Sequence, residues 1–316
     1  MPHGRVFEFD DPYNLQATLR AGNYEVLPLA RGKFRAELTR IDFEHLWLQR
    51  CETSASVLLH TANDQARAPM TFLAVPDQGP WQQNGSELPP DGIAVYRRGA
   101  VNHHLAREAN TWASMSLTPD ALASYGKAIA GREITAPSET YIARPGPQLL
   151  ARLRSLHAAA CHLAKSNPEA LACRATAKSL EEDLIRTMVA CLATERPAAA
   201  GAGAVRRARI VSRFHDYLAS RPDEPLYLSE ICAAIGVSER TLRDCCQDHL
   251  GMGPHRYLWL RRMHLTRRAL REAHSARTTV TDIATAHGFW ELGRFAVEYR
   301  TLFDELPSAT LGRSIG

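Results

Sequence analysis

The chain has 316 residues, a formal net charge of +4, 45% hydrophobic and 23% charged residues. That is ordinary globular composition, long enough for two or three cores. No apolar run approaches the roughly 20 residues that span a bilayer, and the polar, acidic sequence after Met1-Pro2-His3-Gly4-Arg5 reads against a secretory signal.

Residues 5–118 read mainly as strands: Tyr24–Leu29, Lys33–Ile41, Phe43–Cys51, Ser56–His60, Met70–Val75, Ile93–Tyr96 and Trp112–Leu117 are short and partly alternating. Arg31-Gly32, Asp77-Gln78-Gly79-Pro80, Asn84-Gly85 and Pro89-Pro90-Asp91-Gly92 punctuate them, the pattern of a β-sandwich or small barrel. A helix follows from Pro119 to about Gly131, with the proline suited to its first position. Residues 147–196 predict two long amphipathic helices. Leu149, Leu153, Leu156, Ala160 and Leu163 stripe the first, Asn167-Pro168 interrupts, and Leu184, Met188 and Cys191 stripe the second. Such helices pack onto the β-rich part or form a dimer interface. Pro197–Ala204 is a run of small residues, a flexible tether and the clearest boundary. The expected division is 1–135, β-rich; 136–197, helical; and 205–316, all-α. Cys51, Cys161, Cys173, Cys191, Cys232, Cys245 and Cys246 are odd in number and scattered. They read as reduced thiols, which places the chain in the cytoplasm.

The C-terminal part contains one unit twice, Leu228–Leu250 and Val280–Phe303. Leu228, Ser229, Glu230, Ile231, Ala234, Gly236 and Val237 fall on Val280, Thr281, Asp282, Ile283, Ala286, Gly288 and Phe289 at one offset. After a one-residue insertion Leu242, Cys246, Leu250 and Pro254 fall on Phe295, Tyr299, Phe303 and Pro307. Leu228, Ile231 and Ile235 make one face of a short helix, with Ser229 as its expected cap. Gly236 ends that helix in the left-handed conformation, and Ser238 caps a second helix buried through Leu242, Cys246 and Leu250. This is a helix-turn-helix pattern, whose second helix enters the major groove by its outward start. That start is Ser238, Glu239, Arg240 and Arg243 in the first unit and Trp290, Glu291, Leu292, Gly293 and Arg294 in the second. Arginine there pairs with guanine O6 and N7. A connecting helix from about His255 to Ala273, striped by Trp259, Met263, Thr266 and Leu270, spaces the two units for adjacent groove segments about 34 Å apart. From Val205 onward seventeen arginines face thirteen acids, an excess equal to the whole chain's +4, so residues 1–204 balance at twenty-one each. Positive charge confined to this end suits phosphate contact.

The stretch from about Arg209 to Leu311 resembles the DNA-binding domain of the AraC/XylS transcription regulators. The resemblance is carried by Leu228-Ser229-Glu230-Ile231, Gly236-Val237-Ser238, Leu250-Gly251-Met252-Gly253-Pro254, Tyr257-Leu258 and Arg267-Arg268-Ala269-Leu270. It continues through Val280-Thr281-Asp282-Ile283-Ala284, Gly288-Phe289 and Pro307-Ser308. The chain departs from the pattern at Leu292, Gly293 and Val297, where many members carry small polar residues and a later arginine, so Arg294 becomes the second unit's main contact. Asp304 stands where the family usually has glycine. The resemblance implies an α+β chain: a cupin-like N-terminal barrel or sandwich that senses a small molecule, a helical middle segment, and an all-α domain with two helix-turn-helix units. It further implies double-stranded DNA and RNA polymerase as partners, a homodimer, activation, no membrane, no cofactor and no enzymatic activity.

Trp47, Trp81, Tyr96, Arg98 and Trp112 are the candidates for an effector pocket, equally readable as core and turn packing. His103-His104 with Glu108, His45 and His60 is the best cluster for a metal. A cupin site, however, wants spaced histidines on one face, and adjacent ones point to opposite faces of a strand. Surface or loop histidines are therefore expected, with no metal. No nucleophile elbow, phosphate loop or dinucleotide glycine pattern supports catalysis. The alternative reading is a cupin-type enzyme or metal-dependent domain fused to a DNA-targeting module.

Overall fold

Strands whose successive side chains leave on opposite faces build two stacked antiparallel sheets. The computed structural model describes residues 3–194, 202–221, 226–273 and 278–312. Its β-rich part comprises β1 (His3–Phe9), α1 (Pro12–Thr18), β2 (Gly22–Pro28), β3 (Ala36–Asp42), β4 (Trp47–Thr53), β5 (Val57–Asn63) and β6 (Ala68–Leu73). Then come β7 (Trp81–Gln83), β8 (Ser86–Glu87), β9 (Ile93–Val95), β10 (Val101–Ala106), β11 (Asn110–Leu117), α2 (Pro119–Ala130) and β12 (Tyr141–Ala143). One sheet runs β1-β3-β4-β11-β6-β9-β12, the other β2-β5-β10-β7-β8. The pattern in the sequence missed β1, α1, β7, β8, β10 and β12. In β10 the reason is chemical, since Asn102, His103 and His104 look like surface residues and are all buried.

Alternate residues of each strand feed different cores. Leu38, Cys51, Leu73 and Trp112 of the larger sheet meet Val26, Leu59, Trp81 and Ala106 of the smaller one in the space between. The other face of the larger sheet carries Ile41, Leu48, Met70, Phe72 and Met115. It is covered by α3 (Pro147–Ser166) and α5 (Arg174–Ala193), joined through the short α4 (Pro168–Ala172). The middle helices thus pack onto the β-rich part, one of the two readings their stripes allowed. Two anchors are polar. Glu181 of α5 accepts the backbone N–H groups of His45 and Leu46 at 2.6 and 2.9 Å, and His157 Nε2 of α3 donates to the Gln49 carbonyl at 3.1 Å.

Burial lowers the His157 pKa from 6.5 to about 3. Below about pH 6.5 the unfolded chain takes up a proton that the folded one refuses, so stability is lost as pH falls toward 3, by about 2 kcal/mol at pH 5. Urea unfolding at pH 7 and pH 5 checks this: in His157→Gln the loss between the two pH values is expected to shrink by that amount.

The C-terminal part consists of α6 (Ala202–Ala219), α7 (Leu228–Ile235), α8 (Glu239–Leu250), α9 (Pro254–Glu272), α10 (Val280–Ala286), α11 (Leu292–Phe303) and α12 (Pro307–Gly312). Of the expected tether, Pro197–Gly201 lies outside the described residues. Ala202–Ala204 instead open α6, in keeping with alanine's helix propensity. Phe214, Ile231, Leu242, Cys246, Tyr257, Met263, Tyr299 and Phe303 pack in one core. That core does not stop at the domain edge. It continues into Leu27, Leu58 and Leu105, the outward residues of β2, β5 and β10. The whole is therefore α+β in four layers: middle helices, larger sheet, smaller sheet, C-terminal helices.

Candidate nucleic-acid interface and ligand cavity

The two helix-turn-helix units have the same turn, bond for bond. Gly236 and Gly288 both adopt positive φ, 64° and 77°, the region where a side chain costs about 1 kcal/mol or more. The N–H of Val237 reaches the Cys232 carbonyl at 3.1 Å, and that of Phe289 reaches Ala284 at 2.9 Å. Each bond joins residues five apart, closing the helix end and driving an apolar side chain inward.

The helix starts differ. Tyr227, not Ser229, occupies the cap position of α7, without a side-chain bond, because the helix begins two residues earlier than expected. Thr279 caps α10 in a reciprocal box with Asp282. Ser238 caps α8, accepting the Thr241 N–H at 3.1 Å. Its counterpart in the repeat is Trp290, which has no capping oxygen, and α11 starts after the inserted residue at Leu292. Asp304 ends α11 with φ 57°, the left-handed conformation that glycine adopts most freely.

Ser238, Glu239, Arg240 and Arg243 are all exposed on the first turns of α8. Trp290 is 73% exposed, and Glu291 and Arg294 are exposed beside it. Arg294 is engaged on its own helix: Nε donates to Glu298 at 2.8 Å, and Glu291 lies 3.9 Å from Nη1. Glu298 also accepts Trp259 Nε1 at 2.8 Å. A carboxylate on this arginine opposes phosphate. Glu298→Gln, which keeps an acceptor for Trp259, is expected to tighten DNA binding by up to about fivefold, the value of an exposed ion pair. Fluorescence anisotropy titration measures it.

Arg261 and Arg268 lie off the buried stripe of α9, on the side that meets the β-rich part. Arg261 Nε pairs with Glu25 at 3.3 Å, the Arg268 guanidinium sits 3.9 Å from the Tyr13 ring centre, and Arg271 pairs with Asp11. The connecting helix is a docking element as well as a spacer. At the end of α8, Gly251 (φ +69°) approaches β10 so closely that a Cβ would come within 2.5 Å of Leu105 Cδ2. Nothing in the sequence pattern reports these contacts, since both partners look like surface charge or a helix cap.

Between the sheets lies a small cavity of about 20 Å³, with Trp81, Tyr96, Trp112, His104, Thr61 and Asn63 among its walls. Three of the five effector candidates, Trp81, Tyr96 and Trp112, come together there. Trp47 and Arg98 do not, which corrects their grouping. Trp47 lies under Arg67, whose guanidinium is 4.0 Å from the ring centre, and exposed Arg98 donates to the Gln65 carbonyl at 3.1 Å. Trp47 has the parity of Cys51 but stands at the far end of β4, opposite Ser116, and Arg98 lies in the turn beyond β9. The cavity is polar in an unsatisfied way. Among the described residues, Trp81 Nε1, Trp112 Nε1, His104 Nδ1, Thr61 Oγ1 and Asn63 Nδ2 are buried without hydrogen-bond partners. Burial lowers the His104 pKa to about 3, so its ring is neutral.

His103 and His104 do point to opposite faces, one toward α6 and one into the cavity. The expectation of surface or loop placement is corrected for both: they are 2% and 7% exposed, His103 because α6 covers the outer face and His104 because it lies between the sheets against Trp81 and Tyr96. His45 and Glu108 are exposed.

Residues 231–313 match the helix-turn-helix domain family. Over 102 residues the chain is 39% identical to the "Probable thc operon regulatory protein" of Rhodococcus erythropolis, covering 32% of this chain and 31% of that one. Over 75 residues it is 39% identical to the "XylDLEGF operon transcriptional activator" of Pseudomonas putida, covering 24% and 23%. The matched segment thus spans about a third or less of these curated relatives. Among solved structures, the AraC-like transcriptional activator CuxR aligns with 16% identity and a TM-score of 0.44, covering 89% of this chain and 100% of its own. The C-terminal region of this chain is thus similar to the helix-turn-helix domain family and to segments of these operon regulators. Among the described residues no helix is long and apolar enough to cross a membrane.

Proposed function

We propose that this chain is a sequence-specific transcription regulator, an activator that binds paired half-sites and answers to a small molecule. The carrying observation is the pair of helix-turn-helix units with identical turns, both presenting an exposed start with arginine at it. In this reading residues 205–316 bind double-stranded DNA through Ser238, Glu239, Arg240, Arg243, Trp290, Glu291 and Arg294. Residues 1–135 sense the effector, and 136–197 support them and carry a dimer contact. Recruitment of RNA polymerase and a cytoplasmic location belong to the same reading, by likeness to operon regulators.

The cavity suits the effector, with Trp81, Tyr96 and Trp112 as apolar walls. Its two indole N–H groups and one amide donor favour an oxygen acceptor, and a ligand larger than a water molecule enters only as the walls part. Selection of binding sites from random duplexes by the full chain tests the DNA reading. An enriched motif with two elements about one helical turn apart is expected; a pool no different from the input overturns it.

A further inference from the structure

We propose that His60, His103 and His215 form a binding site for a divalent transition metal of the zinc class, which latches the helix-turn-helix domain onto the outer face of the smaller sheet. The inference goes beyond DNA binding and does not depend on it.

The three imidazoles come from three elements of two domains. His60 on β5 and His103 on β10 are directly opposed in the antiparallel ladder, and His215 reaches them from α6. One ring nitrogen of each lies within 4.8 Å of the others, the only such grouping of three ligand-type side chains among the described residues. His60 Nδ1 and His103 Nε2 are 3.0 Å apart. His103 and His215 are 2% and 3% exposed, and among the described residues His215 Nε2 has no hydrogen-bond partner. A buried orphan nitrogen of this kind calls for an occupant.

The surroundings favour metal over a trapped proton. The other nitrogen of His215, Nδ1, lies 3.4 Å from the Tyr257 hydroxyl, which also faces Glu25 at 3.3 Å. A ring fixed through one nitrogen and presenting the other is how metal-bound histidines are oriented. Glu25 also neutralises Arg261, the nearest fixed cation. Three neutral imidazoles without thiolate suit zinc, nickel, cobalt or copper rather than magnesium or calcium.

Binding needs a small rearrangement. The His60 and His215 rings are stacked at 4.1 Å and 9°, and a metal lies in the plane of each ring it binds. The His215 ring must turn and approach while the His60–His103 pair opens slightly, bringing the nitrogens to about 3.4 Å apart for bonds of about 2.1 Å and leaving a fourth position for water. The proton between His60 and His103 moves to the other nitrogen of the ring that carries it, a change of tautomer that leaves both facing nitrogens free to ligate. Because two ligands belong to the sheet and one to α6, occupancy strengthens docking.

The test uses the full chain, stripped with chelator and titrated with zinc chloride by calorimetry, with cobalt as a spectroscopic probe. The expected result is one equivalent with a Kd below about 1 µM, tetrahedral cobalt absorption, and a Tm several degrees higher with metal. His215→Gln, checked for folding by circular dichroism, is expected to lose all three. Should that variant not fold, His60→Gln, at a half-buried strand position, serves the same comparison. No binding by the parent chain, or one equivalent that survives in the folded variant, overturns the proposal.

Discussion

Replacing Arg240 and Arg243 together by alanine is expected to remove sequence preference in DNA binding while leaving thermal unfolding unchanged. Both side chains are exposed, three residues apart on the first turn of α8. No residue of the core of that helix (Leu242, Cys245, Cys246, Leu250) is disturbed. Each arginine on a guanine edge contributes ~1–3 kcal/mol of discrimination. Together the loss reaches ~2–6 kcal/mol if the two act independently, and neighbours on one helix can fall short of the sum. The informative readout is a titration of cognate and scrambled duplexes at two salt concentrations. Base contacts predict that the two affinities converge. Pure phosphate contacts predict instead that both fall equally and that the salt slope drops by about one per arginine, an outcome that would remove the first unit as a reader of sequence.

The second large effect lies at the domain junction. Leu58→Ala with Leu105→Ala is expected to split thermal unfolding into two transitions. Both leucines are 1% exposed and belong to the core of the helix-turn-helix domain rather than to the core between the sheets. Truncating a buried leucine costs about 2–5 kcal/mol, transfer plus cavity. Here that cost falls on the docking of the two parts, because the inward residues Val26, Leu59 and Ala106 are untouched. Calorimetry should show the sheets melting near their former temperature and the C-terminal helices earlier. A single transition lowered as a whole would mean that the two parts fold as one unit with the junction in its middle.

Much of the functional end was legible in the amino-acid order because its physics is short-range. Gly236 and Gly288 end helices through bonds five residues long, Ser238 caps a helix three residues away, and the apolar stripes repeat at helical spacing. The N-terminal part was less legible. Strands were visible where one face was apolar, at Ile93–Val95 or Asn110–Leu117, and invisible at β10, where polar residues are buried on both faces by partners distant in the chain.

The duplicated motif, its arginine-bearing helix starts and the sandwich-like β-rich half were therefore determined by the sequence alone, through contacts spanning a few residues and through side-chain periodicity. Only the tertiary structure decided that Leu27, Leu58, Leu105, His60 and His103 face the C-terminal helices, that Arg261 and Arg271 bind the β-rich part, and that Trp81, Tyr96 and Trp112 share a cavity without Trp47 or Arg98. Periodicity says that alternate residues leave a strand on opposite sides. What waits on each side depends on chain segments more than a hundred residues away, and no local pattern carries that information.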